Sequence, residues 1–289
     1  IRDRYFHDEV GAINGSEGHP VVFKAYGDGV AVFTTTGPHP SGTWYHDYFM
    51  FYTGENDHIV INGNGYLNPH QAYSIKLEGH ENASSLIRFY GRASNYCENI
   101  VITGVEIDAS HTTGFNGGDE NVVMGIALQY CRYSLISDNY IHHVHHPTGD
   151  VYPGDNSDRI QSTGHGIYLF SCELLEIVSN RIERCNHGAI EVEIQRPDGH
   201  PSRYCKIRNN IIDQHYGGGI YLPINAHHNL IEGNIITNCG ETTTFSKPGM
   251  QISGSNNSIR KNVIYNPNNQ PIRMEAQTVI GFNLSLIHI

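Results

Sequence analysis

The sequence predicts an all-β fold: a solenoid in which short parallel strands wind repeatedly around one thin core. Three observations predict this architecture. An Ile-x-x-Asn-x-Ile motif recurs, a run of alternating apolar residues recurs between its copies, and no segment has the period of an amphipathic helix. The composition agrees, because 38% of the 289 residues are hydrophobic and 31 are glycine, which suits a thin core enclosed by many turns.

The recurring motif marks one corner of each coil. Successive asparagines lie 41, 30, 24 and 28 residues apart, so the shortest interval is about one bare coil and the excess belongs to loops. Asparagine suits a tight corner because it tolerates left-handed backbone, and stacked amides hydrogen-bond along a column. We therefore predict an asparagine ladder with a strand on each side of the corner. Its members are Asn139, Asn180, Asn210, Asn234 and Asn262.

A third strand, which we call the first strand of each coil, carries the alternating apolar run. We predict first strands at 125–129, 166–170, 189–193, 219–223, 249–253 and 271–275, with earlier versions at 21–25, 48–52 and 86–90. This repeat predicts about nine coils and a rod about 40 Å long. The loops that enter the first strands are long at about 68–85, 109–123 and 142–164. We expect them to wall the first-strand face, because long loops on a rigid stack usually carry function.

The six cysteines fall into repeated contexts. Cys97, Cys131, Cys172 and Cys205 each follow a turn and precede an apolar run, and Cys185 and Cys239 share a second context. Recurrence at equivalent positions indicates buried thiols stacked in a ladder rather than disulfides. No Cys-x-x-Cys pair occurs, so a zinc site made of cysteines is not expected.

The strand repeats, the asparagine corner and the cysteine-led turn together resemble the single-stranded, right-handed parallel β-helix of the pectate-lyase-like superfamily. The resemblance covers nearly the whole chain, and residues 16–29 resemble the opening coil of its extracellular members. It implies a right-handed coil, and an extracellular or periplasmic monomer that acts on a polysaccharide as a lyase or glycoside hydrolase. The right hand comes from the resemblance, because the spacing shows only a three-strand coil.

Motifs of individual β-helix families match this chain only in part. The trio Gly164-His165-Gly166 also occurs in polygalacturonase-type glycosidases, but their Asn-Thr-Asp, Asp-Asp and Arg-Ile-Lys motifs are missing. Asn68-Pro69-His70-Gln71 lacks both carboxylates of the Asp-Pro-His-Asp motif of mannuronan epimerases. The family motifs therefore do not select one reaction.

The charge and the chain ends bound the partners. A net charge of −11 argues against nucleic acid, whose phosphates need a basic face, and no apolar run approaches the length of a transmembrane helix. The chain begins at Ile1, so removal of a leader is compatible with secretion. We expect one domain over residues 1–283 of a metagenomic fragment. Residues 284–289 resemble a sequencing adapter read in frame, the alternative being a natural apolar terminus.

Between the inward apolar residues, each first strand places two residues on the outer face. Aromatic rings, carboxylates, amides and arginines in these rows suit a sugar-binding groove; the alternative is an ordinary solvated sheet face. One row contains Arg88, Ala127, Tyr168, Glu191, Tyr221, Gln251 and Arg273, and the row beside it contains Tyr90, Gln129, Phe170, Glu193, Pro223, Ser253 and Glu275. From the first row we predict Tyr168, Tyr221, Gln251 and Arg273 as substrate-binding residues.

Four residues are the catalytic candidates. Glu191 and Glu193 lie on one face of one strand, so they can divide acid and base work or hold Ca²⁺, and their like charges should raise one pKa. Alternatively, Arg181 or Arg273 neutralises them as a surface pair. His165, below the longest loop, suits a base, an acid or a sugar ligand, and Arg88 suits pairing with a substrate carboxylate.

The segment 142–164 contains the densest group of titratable residues. Histidines suit a transition metal and aspartates suit Ca²⁺, but no spacing matches a metal motif, and a polar solvated lid is the alternative. The residues are His142, His143, His145, His146, Asp150, Asp155, Asp158 and Arg159.

We therefore expect an extracellular enzyme that degrades a uronate-containing polysaccharide in a first-strand groove. A lyase is favoured, because Arg88 and Arg273 can pair with a uronate carboxylate and the acidic loop residues can hold Ca²⁺. Two alternatives stay open. One is a glycoside hydrolase that uses the carboxylate pair, and the other is a non-catalytic, glycan-binding or adhesin-like solenoid. A purely structural surface rod stays open as well.

Overall fold

The computed structural model describes residues 15–25, 30–33, 47–52, 57–64, 73–79, 85–110, 124–144, 164–193, 200–215, 217–239, 248–265, 271–274 and 282–285. These residues form strands β1 to β26, numbered in chain order. Within the same ranges, no helix has the length and apolar character needed to cross a membrane.

The strands form three columns that run along the coil axis. The first-strand sheet contains β3 (Asp47–Tyr52), β6 (Ser85–Tyr90), β10 (Met124–Gln129), β14 (His165–Phe170), β17 (Gly188–Glu193), β20 (Gly218–Leu222), β23 (Met250–Ile252) and β25 (Ile272–Met274). The second-strand column contains β1 (Val21–Lys24), β4 (Ile59–Asn62), β8 (Val101–Thr103), β12 (Leu135–Ser137), β15 (Glu176–Val178), β18 (Lys206–Arg208), β21 (Leu230–Glu232), β24 (Ser258–Tyr265) and β26 (Phe282–Ser285). The third-strand column contains β2 (Ala31–Phe33), β5 (Ile75–Glu78), β9 (Val105–Asp108), β13 (Tyr140–His142), β16 (Arg181–Glu183), β19 (Ile211–His215) and β22 (Ile235–Cys239).

Neighbouring coils pair in parallel in all three columns. The second and third columns join into one sheet through β24, which continues through the corner without a break. Two short strands, β7 (Cys97–Glu98) and β11 (Cys131–Arg132), pair in the turn between the first and second columns. This is the predicted all-β parallel β-helix, and nine second-column strands among the described residues agree with about nine coils.

The core is a set of apolar columns inside the coil. Ile126, Ile167, Ile190 and Ile220 lie in register on successive first strands and are almost inaccessible to solvent. The isoleucines on both sides of each corner are buried in the same way. The predicted inward alternation of the first strands is therefore confirmed for the coils from β6 to β23.

One predicted first strand is in the wrong column. Residues 21–24 form β1, which pairs with β4 in the second-strand column. The apolar alternation of this segment is real, since Val21 and Phe23 pair with Ile59 and Ile61. Alternation alone does not distinguish the three faces of a coil, and no asparagine motif follows this segment to fix its place.

The predicted asparagine ladder is confirmed. The Nδ2 atom of each ladder asparagine donates to Oδ1 of the next, over 2.9 Å from Asn139 to Asn180 and 3.0 Å from Asn180 to Asn210, and the bonds continue through Asn234 to Asn262. The left-handed backbone, however, belongs to the residue before each asparagine. These residues are Asp138, Ser179, Asn209, Gly233 and Lys261. The preceding residue makes the turn, which leaves the asparagine side chain free to point into the coil.

The cysteine ladder is also confirmed. All six cysteines are buried free thiols, and Cys97 pairs with Cys131 in register between β7 and β11. The Sγ atom of Cys205 lies 3.7 Å from the carbonyl oxygen of Cys172 in the coil before it. The cysteines therefore act as small core residues that also bond to the backbone.

Several predictions fall on residues outside the described ranges. These are most of the three long loops, the titratable candidates from His145 to Arg159, the segment Asn68-Pro69-His70-Gln71, and Glu275. Leu284 and Ser285 belong to β26, whose backbone pairs with β24, whereas residues 286–289 lie outside the described ranges. The adapter origin of 284–289 stays a prediction.

Candidate functional site

The outer row of the first-strand sheet forms in the predicted order. Arg88 lies next to Ala127, Ala127 next to Tyr168, and Tyr168 next to Glu191. From Glu191 the row continues through Tyr221 and Gln251 to Arg273. In the middle of the row the outer face is covered, because Ala127, Tyr168 and Glu191 are only 3%, 8% and 4% exposed. Polar groups at such positions need partners.

A backbone kink at Gly166 turns His165 onto this outer face. Strict alternation with Ile167 would point His165 into the core. A Cβ atom on Gly166 would lie 2.6 Å from Ile182 Cγ2 and 3.3 Å from Cys185 Sγ, so Gly166 and Ile167 both face inward and the pattern shifts by one residue. In an equivalent later coil, the N–H groups of two successive residues, Gly219 and Ile220, both donate to Gly249 O, so the backbone is kinked at this glycine position while the strands stay in register.

His165 converges with His187 on Glu191. The Nδ1 atoms of His165 and His187 lie 3.1 Å and 3.0 Å from the same carboxylate oxygen, Glu191 Oε2. The two imidazole rings meet edge to face with centroids 4.5 Å apart. His165 and Glu191 are buried, and His187, just before β17, is the most exposed of the three. We call these three residues the His–His–Glu cluster.

The histidines determine the charge state of Glu191. Burial alone would raise the pKa of Glu191, but the charges of His165 and His187 and their contacts lower it well below its usual range. The sequence-based expectation was that like charge would raise one pKa of the Glu191–Glu193 pair. For Glu191 the structure shows the opposite sign, because two imidazoles face this carboxylate. Arg181, the expected neutralising residue, pairs with Glu183 on the third-strand column.

Tyr168 links the cluster to Glu193. Its ring stacks on His165 with centroids 4.3 Å apart and an interplanar angle of 16°, and its hydroxyl donates a hydrogen bond to Glu193 Oε2. Burial, followed by the charges of Glu191 and Glu193, raises the pKa of Tyr168 far above its usual value. The phenol therefore stays protonated and remains a donor, while Glu193, half-buried on the rim of this face, accepts.

The family model described as "Right handed beta helix region" matches residues 52–222 and 159–287. The chain belongs to the right-handed β-helix family. This match confirms the hand of the coil that the resemblance predicted. No curated protein sequence matches the chain.

Two solved structures share the fold of this β-helix at low sequence identity. ORF18 of Geobacillus virus E2 is 11% identical with a TM-score of 0.56, over 93% of this chain and 50% of that one. The surface adhesin PfbA of Streptococcus pneumoniae is 12% identical with a TM-score of 0.54, over 89% of this chain and 56% of that one. This β-helix thus spans about half the length of both structures, and the likeness shows the fold alone.

The other predicted site residues lie along the same face of the β-helix, at increasing distance from the cluster. Tyr221 is on β20, next to Glu191, and Gln251 is one strand further. Arg88 and Arg273 are each three strands from Glu191, on opposite sides, which is roughly 14 Å at the usual strand spacing. Arg88 lies over the ring of Tyr90, 5.7 Å from its centroid. Neither arginine reaches the His–His–Glu cluster, so any contact they make with a glycan is at a distance from it.

His187 was not among the predicted site residues. It lies in the short 183–188 turn, whereas the sequence pattern predicts function in the long loops. The sequence does contain a signal for His187. It lies four residues before Glu191 and directly before Gly188, which has no side chain to fill the space beside it.

A second histidine pair lies on the outer face of the third-strand column. Arg184 Nη1 is 2.8 Å from His143 Nε2, His143 Nδ1 is 2.7 Å from His142 Nδ1, and His142 Nε2 is 3.4 Å from Glu106 Oε1. Because arginine only donates, His143 Nε2 must accept, which leaves its Nδ1–H to donate to His142 and the His142 Nε2–H to face Glu106. His142 therefore belongs to β13 and this hydrogen-bond chain rather than to a lid.

The sequence leaves Ca²⁺ open as a cofactor, but Ca²⁺ does not fit the donor atoms of the two candidate metal groups in the described part of the chain. Ca²⁺ prefers six to eight oxygen ligands. The two described groups that could hold a metal are Asp108–His142–His143 and the His–His–Glu cluster, and each contains two imidazoles. Nitrogen donors favour a first-row transition metal instead.

Proposed function

We propose that this β-helix is an extracellular enzyme that cleaves a uronate-containing polysaccharide by β-elimination on its first-strand face. The observation that carries the proposal is the hydrogen bond from Tyr168 to Glu193, set on a buried cluster of ionisable groups. A solvated sheet face has no need of such an arrangement. A proton donor and a proton acceptor, already paired and fixed by stacking on His165, are the two groups that an elimination requires.

The reaction assigns one proton transfer to each member of the pair. The Glu193 carboxylate takes the proton from C5 of the uronate, and the C5 electron pair forms the C4=C5 double bond. The C4–O4 bond breaks, and Tyr168 donates its hydroxyl proton to the leaving O4. The proton on Glu193 then passes to the phenolate across their hydrogen bond. Both residues return to their starting state, and no external acid or base is consumed.

Burial supports the choice of Glu193 as the base over His165 and Glu191, and Tyr168 reaches this edge through its hydrogen bond to Glu193. Glu193 and the neighbouring Phe170 are half-buried at the edge of the covered zone, whereas His165 and Glu191 lie deeper. Substrate reaches groups at the edge more readily. The deeper residues stack on Tyr168 or bond to each other, so they suit a positioning role for Tyr168.

The elimination also needs positive charge beside the uronate carboxylate, because that charge acidifies C5. Arg273 lies four strands from Tyr168, and Arg88, two strands away, lies over the ring of Tyr90. His165 and His187 lie beside the Tyr168–Glu193 pair, so a cation held by these imidazoles would be in the right place. Tyr221 and Gln251, next along the row, suit contacts to neighbouring sugar units.

A glycoside hydrolase is the second candidate, and its support is the presence of two carboxylates on β17. Hydrolysis needs one of them as a protonated acid. Glu191 Oε2 contacts two imidazoles, which favour the carboxylate form, and Glu193 accepts from Tyr168. Neither carboxyl group is placed to give a proton, so the geometry favours the lyase.

The test is a panel of uronate and neutral polysaccharides with two readouts: ultraviolet absorbance of unsaturated uronate and release of reducing ends. The lyase predicts that both rise together on at least one uronate polymer. Tyr168→Phe and Glu193→Gln should each lower kcat by at least about 100-fold. Tyr265→Phe, an exposed tyrosine on β24, is the matched control and should keep full activity. Reducing ends without absorbance would establish the hydrolase, and binding without either signal would leave a glycan-binding solenoid.

A further inference from the structure

We propose that His165, His187 and Glu191 form a binding site for one divalent first-row transition metal ion, of which Zn²⁺ is the reference case. Two imidazoles and one carboxylate are the donor set of many such sites, and three protein ligands leave coordination positions open for a substrate. The proposal rests on the proposed function and deepens it, because a cation at this cluster would lie beside the Tyr168–Glu193 pair, where the elimination needs positive charge.

The distances between the ligand atoms fit such an ion. The two Nδ1 atoms and the carboxylate oxygen all lie within 4.8 Å of one another, and each nitrogen is 3.0 to 3.1 Å from Glu191 Oε2. Ligands at roughly 2.0–2.2 Å from one metal ion lie roughly 3.0–3.5 Å apart. Both contacts to Glu191 Oε2 already have the spacing of ligands around one ion.

The backbone leaves room beside the ligands. Gly188 follows His187 and pairs with His165 across the strands. A Cβ atom at Gly188 would lie 3.6 Å from Glu191 Oε2 and 3.9 Å from His165 Nδ1. Glycine thus keeps open the space that an ion and its remaining ligands would occupy. A larger side chain at this position would fill the space without removing any ligand.

The histidine pair on the third-strand column is the internal contrast. Its two imidazoles are committed to the hydrogen-bond chain from Arg184 to Glu106, and Lys76 lies 3.6 Å from Asp108, the third member of that group. A lysine beside the carboxylate opposes a second cation. Among the described residues, the His–His–Glu cluster is therefore the better metal site of the two.

The experiment measures metal binding independently of catalysis. The whole chain is stripped with EDTA and titrated with Zn²⁺ by calorimetry and with Co²⁺ by its visible absorption. We expect one tight site per chain with the absorption of Co²⁺ bound to nitrogen. His187→Asn and Glu191→Gln should weaken it by at least about 100-fold. Gly188→Val should block it while all three ligands remain, which covers the case in which a ligand variant fails to fold.

Two histidine controls define the outcomes. His143→Asn, in the hydrogen-bond chain, and His228→Asn, at an exposed turn, should bind metal as the unmodified chain does. The proposal is overturned if no tight site is found, if His187→Asn and Gly188→Val bind normally, or if His143→Asn abolishes binding. Metal binding without any lyase product would disprove only the proposed function, and lyase activity that survives EDTA with no bound metal would disprove only the metal site.

Discussion

Two buried polar regions of this β-helix have opposite organisation. At the asparagine corner the same hydrogen bonds recur in every coil from Asn139 to Asn262, and the amides are neutral and bonded to each other and to backbone. On the first-strand face the His–His–Glu cluster and the Tyr168–Glu193 pair occur in two neighbouring coils only, and their groups are ionisable. In a solenoid, a repeated polar group holds the stack together, whereas a polar cluster that is not repeated is the better functional candidate.

The largest expected effects separate the two regions, because a variant on the first-strand face should change activity and a variant at the asparagine corner should change stability. Tyr168→Phe removes one hydroxyl, so it should reduce lyase turnover by at least about 100-fold while the free energy of unfolding falls by about 1–2 kcal/mol. Urea unfolding and initial rates on the same preparations measure both. If the free energy of unfolding of this variant fell by several kcal/mol, Tyr168 would be a structural residue like the ladder asparagines, and the two regions would not differ in role.

Asn180→Ala should show the converse behaviour. Its side chain accepts from the backbone N–H and the amide of Asn139 and donates to Ile136 O and Asn210 Oδ1. Removing it leaves buried groups without partners, so we expect a loss of about 3 kcal/mol in the free energy of unfolding. Activity per folded molecule should be unchanged. Asn64→Ala, at an exposed position, is the control and should cost less than about 1 kcal/mol.

The regular part of this organisation was predictable from sequence, because each coil repeats the same packing problem. Five copies of one motif placed the asparagine ladder, and four copies of one turn placed the cysteines. The candidate site could be predicted only in part. Tyr168, Glu191 and Glu193 follow from strand alternation, but His165 reaches them because Gly166 faces the core beside Ile167, which alternation does not predict. His187 comes from a turn, and only the register of β14 against β17 brings it to Glu191.

The kink at Gly166, which turns His165 outward, gives an intermediate effect. Gly166→Ala would place a methyl group 2.6 Å from Ala189 O and 2.6 Å from Ile182 Cγ2, so it should destabilise the fold by about 1–3 kcal/mol. At Gly188 the nearest atom would be 3.6 Å away, and Gly188→Ala should change stability by less than about 0.5 kcal/mol. Equal losses in the two variants, measured by urea unfolding, would argue against an inward-facing Gly166.

The buried thiols test the scaffold without a mutation. Burial raises the pKa of Cys205 to about 12 and raises that of Cys185 further, so these thiols are protonated and covered in the native state. A thiol reagent at about pH 8 should label the six cysteines only as fast as the chain opens, and all six in denaturant. Rapid labelling of Cys172 or Cys205 in the native protein would show that the turn column opens locally.

The smallest effect belongs to the exposed ion pairs of the second-strand column. Hydrogen bonds from Lys206 and Arg208 outweigh partial burial and lower the pKa of Glu176. A carboxylate whose folded pKa is lowered stabilises the fold above its unfolded pKa, and this stabilisation is lost as the pH falls through the folded pKa. Since all three side chains are at least one-third exposed, Glu176→Gln should cost only a few tenths of a kcal/mol at pH 7. The difference between the variant and the unmodified chain in urea should shrink as the pH falls through the lowered folded pKa of Glu176, and a cost that does not change with pH would mean that Glu176 stabilises the fold through packing rather than charge.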